Sequence, residues 1–157
     1  MARDLDFSVP STDRGPRTAR RLAAPARDVV GDVLFQDLEL LLSELVANSV
    51  RYADAGEPAS IDVRIRVEPG FARVEVLDGG KGFDPPARPR PLEDRSGGFG
   101  LVLLAELARR WGAERTGGGM RVWFELASPH PRDRAGRWGK RGRGLGRGAE
   151  STVSVVL

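Results

Sequence analysis

The chain has 157 residues, of which 40% are apolar and 30% charged, with a net charge of +3 and no cysteine. The absence of cysteine excludes disulfide frameworks, thiolate metal sites and cysteine nucleophiles. The longest unbroken apolar run, from Leu101 to Ala105, is far short of the roughly 20 residues of a membrane span. The first residues also lack the apolar core of a secretion signal. We therefore expect a cytoplasmic protein that does not contact a membrane.

Positive charge is concentrated near the end of the chain. Residues 132–150 contain seven Lys/Arg and two acidic residues, so this segment carries +5 and the remainder carries −2. It is also rich in glycine, and such a composition buries too little apolar surface to offset the entropy of ordering. We expect a folded domain over residues 1–128 and a disordered Arg/Gly-rich tail over residues 129–157. The tail is either a solvated appendage or an arm for nucleic acid or an acidic partner.

Hydropathy patterns predict the first elements of the domain. Alternation over residues 5–9 predicts a short edge strand, and a capping cluster at residues 11–13 predicts a helix to about Leu22, interrupted near Pro25. The strongest helical period begins at Asp37, the predicted N-cap, and continues to about Ala53. Its apolar positions are Leu38, Leu41, Leu42, Leu45, Val46 and Val50.

The pattern in the second half of the domain predicts three strands and one helix. Residues 61–67 and 71–77 alternate as a predicted hairpin, and residues 120–127 alternate as a last strand. A helix is predicted from Gly100 to about Arg110, with Trp111 continuing its apolar face. This order indicates a layered α+β sandwich and not a doubly wound parallel sheet.

Glu44 and Asn48 are four residues apart, so they share one face of the Asp37 helix beside its apolar stripe. The amide carbonyl of an asparagine is a hard oxygen ligand suited to Mg²⁺, and a neighbouring glutamate can accept a proton. An isolated pair with this spacing is more often a solvated glutamate and a capping asparagine.

Two glycine-rich segments follow. Asp78 ends a predicted strand before Gly79 and Gly80, where the backbone is open to a ligand and the carboxylate can accept a hydrogen bond from an amine. The alternative is an ordinary turn. The glycines of residues 97–100 precede a helix whose first amides could bind phosphate, or they form a flexible entry to that helix.

Three motifs follow one another along the chain: E-L-V-A-N-S-V-R-Y-A from Glu44, D-G-G-K-G-F from Asp78 and G-F-G-L-V-L-L-A-E-L-A-R-R-W-G from Gly98. Together they resemble the N box and two glycine boxes of the GHKL ATPase superfamily. The resemblance is strongest to the bacterial anti-sigma-factor serine-protein kinases and covers about residues 7–126. It implies a Bergerat fold, a two-layer α/β sandwich with a mixed, mostly antiparallel sheet and helices on one face.

The resemblance also implies ATP and Mg²⁺ as cofactors and assigns residue roles. Asn48 becomes the metal ligand and Glu44 the catalytic base. Asp78 contacts the adenine amine, and Gly80 and Gly82 shape the adenine pocket. The remaining expected nucleotide-binding residues, which approach the phosphates, are Gly98, Gly100 and Leu101.

A lid over residues 83–97 is implied as well, with arginines that could meet phosphate at Arg88, Arg90 and Arg95. Tyr52 stands where relatives often have histidine. The only histidine, His130, follows the last predicted strand, so a sensor histidine kinase with its own phosphoacceptor is not expected.

The resemblance therefore predicts a homodimeric serine/threonine kinase that phosphorylates a small anti-sigma antagonist and sequesters a sigma factor. The alternative is a non-catalytic module in which bound ATP shapes a surface for a protein partner. A third possibility, nucleic-acid binding, rests on the basic tail alone.

Overall fold

The computed structural model describes residues 1–52, 60–80 and 99–128. Its elements, in chain order, are β1 (Arg3–Pro10), α1 (Gly15–Ala23), a 3₁₀ turn (Ala24–Ala26), α2 (Arg27–Val30), α3 (Asp32–Arg51), β2 (Ser60–Glu68), β3 (Phe71–Asp78), α4 (Phe99–Leu107), β4 (Arg110–Thr116) and β5 (Gly119–Ala127).

Several expectations fall on other parts of the chain. The basic tail over residues 129–157, the proposed lid over residues 83–97, Gly82 and Gly98 all lie outside the described residues. Within the described ranges, no helix is both long enough and apolar enough to cross a membrane.

The described strands form one five-stranded sheet in the order β1-β2-β3-β5-β4. All four ladders among them are antiparallel. The β2–β3 hairpin and the last strand lie where alternation predicts them, because strict alternation buries one face of each strand. The predicted α+β sandwich of the Bergerat type is confirmed.

The core lies between one face of this sheet and the helices. Alternate side chains of β3, such as Val74 and Val76, are buried on that face, and α3 lies over β3 and β5 with a stripe of leucines that includes Leu38 and Leu41. Burying each such side chain contributes about 1.5–3 kcal/mol, so the stripe anchors α3 firmly on the sheet. A rigid α3 matters because it carries the candidate site residues.

The start of α3 differs from the prediction. The helix begins at Asp32, because Gly31 has a φ of +80° and separates α2 from α3. Residues other than glycine rarely adopt this φ. Asp37 is fully buried inside α3 and is not its N-cap. The polar pattern at Asp37 therefore marked a buried position within the helix and not its beginning.

The capping cluster at residues 11–13 was also misinterpreted in part. It does precede a helix, but α1 has no side-chain cap. Instead, the carbonyl of Thr12 accepts a hydrogen bond from the Gly15 amide at 2.8 Å, which forms a turn into the helix.

Strand β4 was not predicted. The apolar face assigned to a helix through Trp111 ends earlier, since α4 stops at Leu107 and the chain turns into β4. Trp111 is buried from a strand and not from a helix, and it pairs with Phe124 of β5. A helical period and a short alternating run share apolar positions, so only pairing with β5 decides between them.

Candidate functional site

Helix α3 presents three neighbouring polar positions near its C-terminal end. Asn48 and Ser49 are buried, with 8% and 7% of their surface exposed, and Glu44 lies one turn before Asn48 and is partly exposed. Buried polar side chains are costly unless they are hydrogen-bonded, so their contacts indicate what the site is built to do. The residues around them come from the two glycine-rich segments.

The start of α4 packs directly on this polar face. A β-carbon placed at Gly100 would lie 2.8 Å from Asn48 Nδ2 and 3.5 Å from Glu44 Cβ. Only a residue without a side chain allows so close an approach without displacing Asn48. The second glycine box is thus brought against the proposed metal ligand and the proposed base.

The end of β3 meets the same helix through Asp78. The hydroxyl of Ser49 donates a hydrogen bond to Asp78 Oδ2 at 2.6 Å, and the amide of Gly80 donates to Asp78 Oδ1 at 3.0 Å. Both carboxylate oxygens therefore accept bonds from the protein, and the side chain is held in one orientation.

Between α3 and the sheet, a narrow recess with a cavity volume of about 10 Å³ opens beside Asp78. Met120 and Val122 of β5 and Leu45 of α3 form apolar walls, while Tyr52 is 44% exposed at the end of the helix. Apolar walls with one oriented carboxylate suit one edge of a flat, mostly apolar ring that carries a hydrogen-bond donor, although the recess is too small for a whole ring. The complete lining is Leu45, Asn48, Ser49, Tyr52, Asp78, Met120 and Val122.

The polar side chains fit a magnesium ion that is held mainly by a nucleotide. Across the described ranges, no group of three or more His, Cys, Asp or Glu side chains could hold a metal by itself. Asn48 supplies one hard oxygen, Oδ1, which accepts a hydrogen bond from Arg51, while its Nδ2 faces the start of α4. Mg²⁺ typically binds one or two protein oxygens together with phosphates and water, so this donor set suits it.

The structure brings together Glu44, Asn48, Asp78, Gly80 and Gly100, all of which were expected at the site. Leu101 is partly buried and packs against the hydrophobic core. Gly82 and Gly98 lie outside the described residues, and their roles stay predictions.

Sequence reasoning did not single out Ser49 or the apolar wall formed by Met120 and Val122. Ser49 could have been found, because serine is disfavoured inside helices and Ser49 directly follows Asn48. The wall could not, because alternation identifies the buried face of β5 but not which part of that face borders a recess.

The sequence matches a known protein family over most of its length. Residues 9–126 match the family model of the histidine kinase-like ATPase domain. The chain belongs to this family. Membership implies ATP binding, and the site of this ATPase domain places an oriented carboxylate and a buried asparagine around one recess.

A solved structure shares the fold. The crystal structure of the RsbU and RsbW domains of Rv1364c from Mycobacterium tuberculosis superimposes with a TM-score of 0.50 at 20% sequence identity. The match covers 80% of this chain and 32% of the solved one, so the ATPase domain corresponds to about a third of that longer protein. A search of curated proteins found no significant match.

Proposed function

We propose that this chain is an ATP-dependent serine/threonine protein kinase of the anti-sigma-factor type. The observation that carries the proposal is the convergence of three sequence boxes on α3. Gly100 packs on Asn48 and Glu44, and Asp78 is hydrogen-bonded to the adjacent Ser49. The proposed base and metal ligand therefore lie on α3, and the proposed amine acceptor, at the end of β3, is hydrogen-bonded to the same helix.

Each group has a distinct task in the proposed reaction. Asp78 accepts a hydrogen bond from the adenine amine and orients the nucleotide in the recess. Asn48 Oδ1 holds Mg²⁺, which when bound neutralises charge on the phosphates. The amides at the start of α4 provide hydrogen-bond donors for phosphate oxygens.

Glu44 is the proposed catalytic base. It accepts the proton of a substrate serine or threonine hydroxyl while that oxygen attacks the γ-phosphorus, and the bond from phosphorus to the β,γ-bridging oxygen breaks to release ADP. Catalysis of this kind depends on positioning, which the packing of Gly100 against Glu44 and Asn48 provides.

The partners follow from the sequence resemblance to anti-sigma-factor kinases. We propose a small antagonist protein as the phosphorylation substrate, a sigma factor as a second partner, a homodimer as the assembly and the cytoplasm as the location. The solved relative with RsbU and RsbW domains shares the fold and supports the architecture of this proposal.

The test is incubation with γ-labelled ATP, Mg²⁺ and candidate antagonist proteins, followed by detection of labelled serine or threonine. Wild type should label an antagonist, whereas Asp78→Ala should label it much less at the same subsaturating ATP concentration. Arg64→Ala is a suitable control, because Arg64 lies on the outer face of the sheet and pairs with Asp6. Binding of ATP without transfer to any antagonist would favour a non-catalytic module over a kinase.

A further inference from the structure

Two serines of helix α3 use their hydroxyls in different ways. Ser43 donates a hydrogen bond back to the carbonyl of Glu39 in its own helix at 2.7 Å. Ser49 instead donates away from the helix, to Asp78 Oδ2 at the end of β3. Ser43 also accepts a hydrogen bond from Arg20 of α1 at 3.1 Å, so both serines contact a second element, but only Ser49 reaches the candidate site.

The bond from Ser49 determines how many further hydrogen bonds Asp78 can accept. A carboxylate has about four acceptor positions, and two are occupied by Ser49 and by the Gly80 amide. The positions that remain are acceptors and not donors, because an ionised carboxylate carries no proton. Asp78 also lines the recess together with Ser49, so its free positions are available to a ring bound there.

An acceptor-only group distinguishes purines by the substituent at carbon 6. A 6-amino purine presents an N–H donor to the carboxylate, whereas a 6-oxo purine presents an acceptor, and two acceptors facing each other leave both unsatisfied. Discrimination of this kind requires that the carboxylate be unable to rotate away from the mismatched ring.

We propose that Ser49 is the positioning residue that sets base selectivity, by holding Asp78 as a fixed acceptor for a 6-amino purine. The proposal rests on the nucleotide site of the proposed function. Without the Ser49 hydroxyl, the bond from Gly80 is the one that remains to Asp78 among the described residues, and the carboxylate can rotate about its Cβ–Cγ bond. Selectivity then falls even where the recess and its apolar walls are intact.

The experiment compares the dissociation constants of ATP and ITP, which differ at carbon 6, by isothermal titration with Mg²⁺. Wild type should prefer ATP by at least about tenfold, because a site with buried polar groups strongly rejects an analogue that leaves them unpaired. Ser49→Ala should bind ATP about fivefold to tenfold more weakly, as expected for losing a hydrogen bond to a charged group, with little change for ITP.

Two further variants separate positioning from general structure. Ser49→Thr retains the hydroxyl and should restore most of the preference for ATP. Ser43→Ala is the matched control, because it removes a serine hydroxyl from the same helix without touching Asp78. Taking the ratio of two affinities on one preparation cancels any loss of folded protein, so a partly destabilised variant still gives a valid result.

The experiment distinguishes failure of the Ser49 proposal from failure of the proposed function. An ATP-to-ITP ratio in Ser49→Ala equal to that of wild type overturns the positioning role and leaves the proposed function standing. The same follows if Ser43→Ala narrows the ratio as much as Ser49→Ala, or if Ser49→Thr fails to restore it. Wild type that binds neither nucleotide overturns the proposed function and this inference together.

Discussion

Arg51 donates a hydrogen bond from Nη1 to Asn48 Oδ1 at 3.3 Å, one turn further along α3. Oδ1 is also the oxygen that we assign to Mg²⁺, so a guanidinium and a metal ion would share one acceptor. A carbonyl oxygen has two lone pairs and can serve both, but two cations at one oxygen repel each other. Arg51 would therefore oppose the proposed metal binding at Asn48.

Removing the Arg51 guanidinium should lower the Mg²⁺ concentration that ATP binding requires. We expect Arg51→Ala to lower the Mg²⁺ concentration that gives half-maximal ATP affinity by about two- to fivefold, the size of a typical exposed charge interaction. Titrations of ATP at several Mg²⁺ concentrations measure it. Arg64→Ala removes an equal charge from the outer face of the sheet and should leave the requirement unchanged. Weaker ATP binding with an unaltered Mg²⁺ requirement would instead assign Arg51 to phosphate contact.

Truncation of the two polar anchors should weaken nucleotide binding. Asn48→Ala and Asp78→Ala are each expected to cost about 1–3 kcal/mol of ATP affinity, since each removes a partner of a charged or buried group. Isothermal titration gives both values. The Asn48→Ala effect should shrink when Mg²⁺ is chelated, whereas the Asp78→Ala effect should persist. If wild-type protein does not bind ATP at millimolar concentration, both assignments are wrong.

Gly100→Ala tests the contact between α4 and α3. The new methyl would lie 2.8 Å from Asn48 Nδ2, the end of a side chain that can swing aside. Replacing a helical glycine by alanine gains about 0.5–1 kcal/mol of helix stability, which offsets most of the crowding. We therefore expect a nearly unchanged melting temperature and roughly tenfold weaker ATP binding, because Asn48 is displaced.

The control for that substitution is Gly117→Ala, where an added methyl meets nothing within 4 Å. It should leave ATP affinity unaltered. Equal affinities of Gly100→Ala and wild type would show that the close approach has no part in nucleotide binding.

Glu44→Gln separates a kinase from a binding module. A base acts in the transition state more than in the ground state, so its removal should lower turnover and spare ground-state affinity. We expect phosphoryl transfer to fall by roughly 10²-fold or more, with ATP affinity changed by less than about threefold. Single-turnover transfer of labelled phosphate to an antagonist measures this. Equal transfer by wild type and variant would exclude Glu44 as the base.

Gly112→Ala tests the β4–β5 hairpin. Gly112 pairs with Trp123, and an added methyl would lie 2.8 Å from the indole ring, which also stacks against the guanidinium of Arg73. A ring held in this way cannot move freely, so overpacking should cost about 1–3 kcal/mol of the free energy of unfolding. Urea denaturation measures the change. Gly118→Ala, in open space on the same hairpin, should be nearly neutral; equal losses at both positions would contradict the packing argument.

Much of the fold could be predicted from the sequence, because alternation and helical periods are local properties. The strands at residues 61–67, 71–77 and 120–127 were predicted within a few residues. The predicted start of α3 at Asp37 was wrong, because a buried aspartate and an N-cap look alike in sequence. Strand β4 was missed since a short run around Trp111 acquires its identity only by pairing with β5.

By itself, the sequence determined the candidate site as three short motifs and named Glu44, Asn48 and Asp78 within them. Spacing of four residues along a helix is sufficient to place Glu44 beside Asn48. Tertiary structure alone decided that Ser49 reaches Asp78 across 29 positions of the chain and that Gly100 packs on Asn48. These contacts join segments far apart in sequence, and their geometry depends on how α3 and α4 settle on the sheet, which no local pattern encodes.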